Sequence, residues 1–199
     1  MKKRLFAALS AFVLLLTACS AGEGSAFFSE TASSSSSVSS ASEAEKSEYY
    51  LGDFTAETVT GETVDQTIFA DAKLTVINVW ATYCGPCKVE MPVLGQIARE
   101  REGEVQILGV VTDVIDQNGN PDADQVAFAL EIMDEADVEY TNLIINRSLA
   151  MIGFASFTAV PATLFVDSDG NLVGKGFYGS LNEEEWNKVI EERLELIEE

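Results

Sequence analysis

Apolar residues occur in short runs that alternate with stretches of helical periodicity. Residues 74–80 (LTVINVW) and 105–112 (VQILGVVT) are almost uninterrupted apolar runs, rich in β-branched side chains. Runs of this length and composition are typical of strands that are buried on both faces of a sheet. Helical periodicity follows the first run as far as Arg101, so we predict a helix there.

The rest of the pattern continues this alternation. In chain order it predicts a helix over residues 122–137, a strand over 143–145, a brief helix near 149–154, a hairpin of strands 163–167 and 172–178 around Asp169-Gly170, and a helix from about Asn182. In the helix over 122–137, Val126, Leu130 and Met133 are expected to lie on one face. The last helix is expected to bury one apolar face, made of Trp186, Val189, Ile190, Leu194 and Ile197.

Strands and helices in this order predict an α/β sandwich with a mixed central sheet. Before the first buried strand, residues 53–55 and 61–64 have the pattern of a small N-terminal hairpin. The folded domain is therefore expected over residues 49–199, a length that supports one hydrophobic core.

The first residues are typical of an export signal and not of the folded domain. Three positive residues at 2–4 precede an uncharged apolar run over 5–16, which is shorter than a transmembrane helix requires. The run ends in Leu-Thr-Ala-Cys at 16–19, which resembles the lipobox of bacterial lipoproteins. We therefore predict a signal peptide over residues 1–18 and a lipid on Cys19. The alternative is an ordinary secretory signal with a chance cysteine.

Residues 19–48 are predicted to be a disordered tether that follows the lipid. They consist mainly of Ser, Ala and Glu, including five consecutive serines at 33–37, and cannot bury enough apolar surface to fold. A flexible coil of about 28 residues has an r.m.s. reach of about 30 Å, which would keep the domain near a membrane and free to rotate. This length favours a single-membrane, Gram-positive-type cell surface.

Charge and composition exclude several classes of function. The formal net charge is −21, and cleavage before Cys19 would remove three positive residues and no negative one, leaving −24. Such an acidic surface repels nucleic acids and anionic lipid headgroups, so membrane attachment would depend on the lipid. The chain has no histidine, which excludes His-based metal sites and catalysis of the Ser-His or Cys-His type.

Three cysteines are an odd set for an exported protein, but lipidation of Cys19 leaves Cys84 and Cys87 as a C-x-x-C pair. A loop this small stabilises a fold very little by restricting the unfolded chain, so a redox disulfide is expected. The pair lies where a buried strand ends and a helix begins, and a cysteine at a helix N-terminus has a depressed pKa. Cys84 is therefore the predicted nucleophile, and Cys87, one helical turn later, is the predicted resolving thiol.

The two residues between the cysteines suit this position. Gly85 lets the backbone and a substrate come close, and Pro86 is tolerated in a first helical turn. Other interpretations of the pair need features that the sequence lacks. A zinc half-site would need two further ligands, and a peroxidatic cysteine would need a Pro-x-x-x-Thr-x-x-Cys frame. A purely structural disulfide would add little stability.

The segments WATYCGPCKVEMP at 80–92 and VPATLFVDSDG at 160–170 resemble the TlpA/ResA branch of the thioredoxin superfamily. The resemblance covers residues 53–199 and implies a thioredoxin-like three-layer sandwich, with an added N-terminal β-hairpin and a helix inserted at about 113–137. It also implies a cis Val160-Pro161 peptide beside the two sulfurs, with the backbone before the proline binding an extended client segment. The alternative is an ordinary trans proline in a turn.

The same resemblance implies roles for further residues. Trp80 is the motif tryptophan, and Asn78 stands where thioredoxin itself has a buried aspartate. Glu90 matches a glutamate of the TlpA/ResA branch, and its i, i+3 spacing from Cys87 puts both on one helix face. We expect Glu90 to have a raised pKa and to accept the proton of Cys87. The alternative is an exposed helix glutamate. Tyr83 replaces a second tryptophan and is expected to cover the nucleophile.

The predicted function is that of an extracytoplasmic, membrane-anchored reductase of protein disulfides. The Cys-Gly-Pro-Cys sequence matches reducing relatives such as thioredoxin, at about −270 mV, better than oxidants at about −120 mV. The resemblance implies clients such as apocytochrome c or a methionine sulfoxide reductase, and a membrane thiol donor similar to CcdA or DsbD. No cofactor, metal or nucleic acid is expected, and the protein is expected to be a monomer.

Two other functions stay open from the sequence. A non-catalytic binding lipoprotein would keep the thioredoxin scaffold only for docking a partner, although it would need neither the two cysteines nor Pro161. A thiol peroxidase would use Cys84 against hydrogen peroxide.

Overall fold

The computed structural model describes residues 49–198. The predicted signal peptide, Cys19 and the predicted tether lie outside the described residues. Within residues 49–198, no helix is both long enough and apolar enough to cross a membrane.

The described part of the chain forms a small hairpin and one mixed sheet with helices. In chain order the strands are β1 Thr55–Glu57, β2 Thr63–Asp65, β3 Leu74–Trp80, β4 Val105–Val111, β5 Asn142–Ile144, β6 Ala162–Asp167 and β7 Phe177–Tyr178. The α-helices are α1 Gly85–Glu100, α2 Ala123–Glu135, α3 Arg147–Met151 and α4 Glu183–Glu198, and 3-10 helices cover Gln66–Asp71 and Phe154–Ser156. Strands β1 and β2 pair antiparallel, and the mixed sheet has the order β5–β4–β3–β6–β7.

Strand β3 lies at the centre of the mixed sheet, and all of its residues are buried. It pairs in parallel with β4 and antiparallel with β6. The parallel register places Trp80 opposite Val111, so β3 and β4 end at the same edge of the sheet. The segments that follow the two strands therefore start side by side, and one of them is the C-x-x-C motif.

The sheet is covered on both faces, which gives three layers. One layer contains α1, α2 and α4, and its core with β3 includes Val76, Leu94 and Ile190. The opposite core lies between the sheet and a layer that includes α3 and the first 3-10 helix, and it contains Ile77 and Leu149. Alternate residues of β3 thus face opposite layers. The predicted α/β sandwich with a mixed sheet, an N-terminal hairpin and an inserted helix is confirmed.

The buried face of α2 differs from the predicted one. Its buried residues are Ala129, Ile132 and Met133, whereas Leu130 is 37% exposed and Val126 is only half-buried. Of the three residues predicted to share one face, only Met133 is therefore fully buried. Because apolar residues surround most of this helix, periodicity alone does not determine which stripe faces the sheet.

The C-terminal helix follows its predicted pattern more closely. Trp186, Ile190 and Leu194 are buried. Val189 and Ile197 are half-buried, and both still pack against the core at its edge.

The second strand of the C-terminal hairpin is shorter than predicted. Leu172 forms a bridge with Val166, but β7 begins only at Phe177, which pairs with Thr163. Between them, Gly174 has a φ of +62°, a conformation that favours glycine. The extra residues form a bulge that interrupts the ladder.

Candidate active site

The two cysteines of the C-x-x-C motif form a disulfide at the N-terminus of α1, with Cα atoms 5.3 Å apart. Cys84 is the N-cap residue, and its sulfur accepts a hydrogen bond from the Cys87 N–H at 3.2 Å. Pro86 lies in the first turn, where its missing N–H costs no helical hydrogen bond. Cys84 is 5% exposed, whereas Cys87 is fully buried. Of the pair, only Cys84 reaches the surface, as the predicted nucleophile must.

A buried hydrogen-bond chain fixes the strand end that carries the motif. The Trp80 indole N–H donates to Asn142 Oδ1 at 2.8 Å, and Asn142 Nδ2 donates to the Tyr140 carbonyl at 3.0 Å. The Asn142 amide fills the space in which any Cβ atom at Gly109 would lie, so this contact requires glycine. Sequence reasoning missed Asn142, and its only available signal was a glycine inside a buried strand.

The loop between Trp80 and Cys84 is held from the end of β4. Thr112 donates its backbone N–H and its hydroxyl to the Trp80 carbonyl, each at 3.0 Å. Asp113 accepts the Thr82 N–H at 3.0 Å on each carboxylate oxygen, and it accepts the Thr82 hydroxyl at 2.6 Å on Oδ2. The sequence did not single out Thr112 or Asp113 as site residues, because their contacts with the loop depend on the register of two parallel strands.

Pro161 is buried next to the motif. The Val160–Pro161 peptide bond is cis, as the resemblance implies. Ala162, the first residue of β6, pairs with Val79 of β3, so the proline lies beside the strand end that leads into the motif. The Pro161 carbonyl accepts the Gly179 N–H at 2.9 Å, which ties this segment to the end of β7.

Two other side chains of the motif have different surroundings. Tyr83 is 76% exposed. Lys88, in the first turns of α1, is half-buried, and its ammonium group lies 5.9 Å from the centroid of the Phe128 ring, within the range of a cation–π contact.

Glu90 is buried on the inner face of α1, three residues after Cys87. Its residue exposure is 1%, which excludes the alternative of an exposed helix glutamate. Oε1 accepts a hydrogen bond from Asn78 Nδ2 at 3.0 Å, and Oε2 accepts one from the Leu181 N–H at 3.2 Å. Burial raises the pKa of Glu90 to about 7, and the hydrogen bonds from Asn78 and Leu181 oppose the rise. The carboxyl group can therefore gain or lose a proton near neutral pH.

The polar groups near Glu90 come from separate elements of the fold. Asn78 belongs to β3, Trp186 to α4, and Tyr140 to the segment before β5. Burial, together with the negative charge of Glu90, raises the pKa of Tyr140. Asn78 Oδ1 has no hydrogen-bond partner among the described residues. A turn of the amide would let this oxygen accept the O–H of protonated Glu90, so Asn78 can pair with either form of the carboxyl group.

The residues predicted for the site lie on a few adjoining segments. Those on β3, the motif loop, α1 and the segment before β6 are Asn78, Trp80, Tyr83, Cys84, Gly85, Pro86, Cys87, Glu90, Val160 and Pro161. The predicted lipidation site, Cys19, lies outside the described residues.

The chain is similar to known proteins in sequence and in fold. A sequence model of the family described as Thioredoxin matches residues 55–128. The thiol-disulfide oxidoreductase ResA of Halalkalibacterium halodurans is 26% identical over 145 residues, covering 72% of this chain and 73% of that protein. ResA of Bacillus cereus is 27% identical over 101 residues, covering 50% of this chain and 51% of that protein. The chain spans about half the length, or less, of most curated relatives that it matches.

A solved structure has the same fold. The exposed lipoprotein thioredoxin Etrx1 of Streptococcus pneumoniae superposes with a TM-score of 0.57 at 22% identity, covering 71% of this chain and 99% of that one. A likeness at this identity shows the fold alone. Together with the sequence matches and the Cys84–Cys87 disulfide, it shows a thioredoxin-like fold and a similarity to ResA thiol-disulfide oxidoreductases.

Proposed function

We propose that this chain is an extracytoplasmic, membrane-anchored thiol–disulfide oxidoreductase that reduces disulfide bonds in client proteins. The observation that carries the proposal is the Cys84–Cys87 disulfide at the start of α1, with Cys84 5% exposed and Cys87 fully buried. The N-terminus of a helix stabilises the thiolate that such chemistry requires. The ResA homologues are thiol-disulfide oxidoreductases, which supports the same reaction here.

The reaction would pass through one mixed disulfide. The Cys84 thiolate attacks one sulfur of the client disulfide, a bond forms between them, and the other client sulfur leaves as a thiolate. Cys87 then loses its proton and attacks the Cys84 sulfur, which releases the first client sulfur as a second thiolate. The client gains two electrons, its thiolates take up two protons, and the pair ends as the disulfide of this structure. A dithiol donor returns the pair to its reduced form.

The client would bind between the motif and the cis proline. An extended client segment can form strand-like hydrogen bonds with the backbone of Val160, next to buried Pro161. The exposed ring of Tyr83 adds aromatic surface beside Cys84. These three residues are therefore proposed to position the client disulfide for attack.

Glu90 is proposed to accept the proton of Cys87 during resolution. The two residues are three positions apart on the inner face of α1. A general base is most effective when its pKa lies near the working pH, and burial raises the pKa of Glu90 to about 7. Asn78 would assist by donating to the carboxylate and then accepting from the protonated acid.

Reduction is the proposed direction, because the Cys-Gly-Pro-Cys sequence matches strongly reducing relatives. Electrons would come from a membrane thiol carrier similar to CcdA or DsbD. They would reach disulfides such as those of apocytochrome c or a methionine sulfoxide reductase. The protein would act as a monomer.

Anchoring is proposed from the sequence of residues outside the described part. Residues 1–18 would be a signal peptide, Cys19 would carry lipid, and residues 19–48 would tether the thioredoxin-like domain of 49–199. The structurally similar protein of Streptococcus pneumoniae is an exposed lipoprotein, which supports the same placement.

Replacing Cys84 with serine is expected to abolish the reduction of insulin disulfides, because no nucleophilic sulfur remains at the surface. Cys87→Ser is expected to stop the reaction at the mixed disulfide and to hold the client on Cys84. Insulin turbidity measures the first effect, and non-reducing gel electrophoresis measures the second.

Equal insulin reduction by wild type and Cys84→Ser would contradict the proposed enzyme. If neither reduced insulin, a binding lipoprotein would be favoured. Consumption of hydrogen peroxide faster than by a free thiol would favour a peroxidase.

Glu90→Gln is expected to slow the decay of the mixed disulfide about tenfold to a hundredfold at neutral pH, because the resolving thiol loses its base. The rate should also lose the inflection that a group titrating near pH 7 produces. Stopped-flow single turnovers with a chromogenic disulfide, at several pH values, measure both effects. Glu100→Gln removes the same charge from the exposed end of α1 and is the control. A Glu90→Gln profile that matches the wild type excludes the proposed role.

Glu90 also makes the stability of the oxidised protein depend on pH. Between its ordinary pKa of 4.5 and its folded-state pKa of about 7, the folded protein holds a proton that the unfolded chain has lost. This stabilisation is complete below about pH 4.5 and is lost as the pH rises through 7.

Relative to Glu90→Gln, the wild type is therefore expected to lose about 2 kcal/mol of unfolding free energy between about pH 5 and pH 8.5. Urea unfolding of both oxidised proteins at the two pH values measures the change. A stability difference that stays constant with pH would show that Glu90 does not titrate in this range.

A further inference from the structure

The carboxylate of Asp113 is bound to the loop that presents the nucleophile. It accepts the backbone N–H and the hydroxyl of Thr82, which lies two residues before Cys84. On the basis of the proposed function, we propose that Asp113 positions the motif loop and places a negative charge that disfavours the Cys84 thiolate. A less stable thiolate favours the disulfide over the dithiol, so the charge makes the protein more reducing.

The fold brings Asp113 to the loop through the parallel pairing of β3 and β4. The ladder ends at Trp80 and Val111, and the next residues leave the sheet together. Thr112 binds the Trp80 carbonyl, and Asp113 then reaches Thr82. The segment after β4 thus binds the loop at Trp80 and at Thr82, and both residues precede Cys84.

That turn keeps the charge near the sulfur. The Cys84 N–H donates to the Ala81 carbonyl at 3.0 Å, which closes a tight turn. The Asp113 carboxylate is therefore on the order of 10 Å or less from the Cys84 sulfur. It is half-buried, so water and salt screen its field less than that of a fully exposed group.

Few other charged groups belong to the segments around Cys84. On α1, Lys88 lies over an aromatic ring, and Glu90 is buried with a pKa of about 7. Residues 157–162, which lead to the cis proline, and residues 177–182, at the end of β7, contain no charged side chain. Asp113 is thus the acidic side chain that is hydrogen-bonded to the motif loop itself.

A negative charge at this point opposes the effect of the helix. The N-terminus of α1 stabilises the Cys84 thiolate, and a stable thiolate favours the dithiol, which is the property of an oxidant. A nearby carboxylate destabilises the same thiolate. The dithiol then gives up its electrons more readily, in agreement with the proposed direction of reduction.

Asp113→Asn keeps the shape of the side chain and removes its charge. The pKa of Cys84, measured from the pH dependence of iodoacetamide alkylation of the reduced protein, is expected to fall by about half a unit to one unit. At a pH above that pKa, the equilibrium with a glutathione buffer is expected to shift towards the dithiol by about threefold to tenfold. Asp116→Asn is the control.

Asp116 belongs to the same segment but is exposed and binds the N–H groups of Asn118 and Asn120. Its replacement should leave the pKa of Cys84 within about 0.2 units of the wild type. An Asp113→Asn protein with the wild-type pKa and equilibrium would overturn the inference. An equal shift of the Cys84 pKa in Asp116→Asn would also overturn the inference, because the net charge of the protein would then explain the effect.

Thr82→Val separates the effect of the Asp113 charge from the effect of its hydrogen bond with the Thr82 hydroxyl. It is also the variant to measure if Asp113→Asn does not fold. It removes one hydrogen-bond donor but leaves the carboxylate, so the pKa of Cys84 should not fall. A fall in the pKa of Cys84 in Thr82→Val would show that loop geometry causes the effect, and it would overturn the electrostatic inference. Failure of the proposed function is distinguishable, because the wild type itself would then not reduce insulin.

Discussion

The burial of one carboxyl group, that of Glu90, is the constraint on which the rest of the site depends. An acidic side chain can lie in a protein interior when hydrogen bonds or a bound proton compensate for the water that it loses. The hydrogen bonds come from Asn78 on the central strand and from Leu181, just before α4. Strand β3, α1 and the start of α4 must therefore keep their relative positions, and the same packing buries Cys87 in the core.

Two carboxyl groups with different surroundings lie close to the redox pair. Glu90 shares the inner face of α1 with Cys87, and burial lets it exchange a proton near neutral pH. Asp113 is half-buried and binds Thr82, on the loop that leads to Cys84. We propose that the first serves the resolving step through its proton, and that the second sets the energy of the nucleophile through its charge.

Local pattern was sufficient to predict much of the fold and part of the site. Residues 74–80 are so uniformly apolar that the bounds of the central strand match the prediction, and the spacing of Cys87 and Glu90 was enough to place both on one helix face. The contacts of Asp113 and Asn142 could not be predicted, because each depends on the register between neighbouring strands. Periodicity placed Val126, Leu130 and Met133 on one face of α2, but tertiary contacts decide which stripe of the helix is buried.

The central claim is that Glu90 exchanges a proton near neutral pH inside the folded protein. Its most direct test is a ¹³C NMR titration of the Glu90 side-chain carboxyl in the oxidised protein, with the signal assigned from its absence in Glu90→Gln. A midpoint close to pH 7 is predicted. A midpoint near the ordinary value of 4.5 would contradict the claim, because the carboxyl group would then remain ionised throughout the working range of the enzyme.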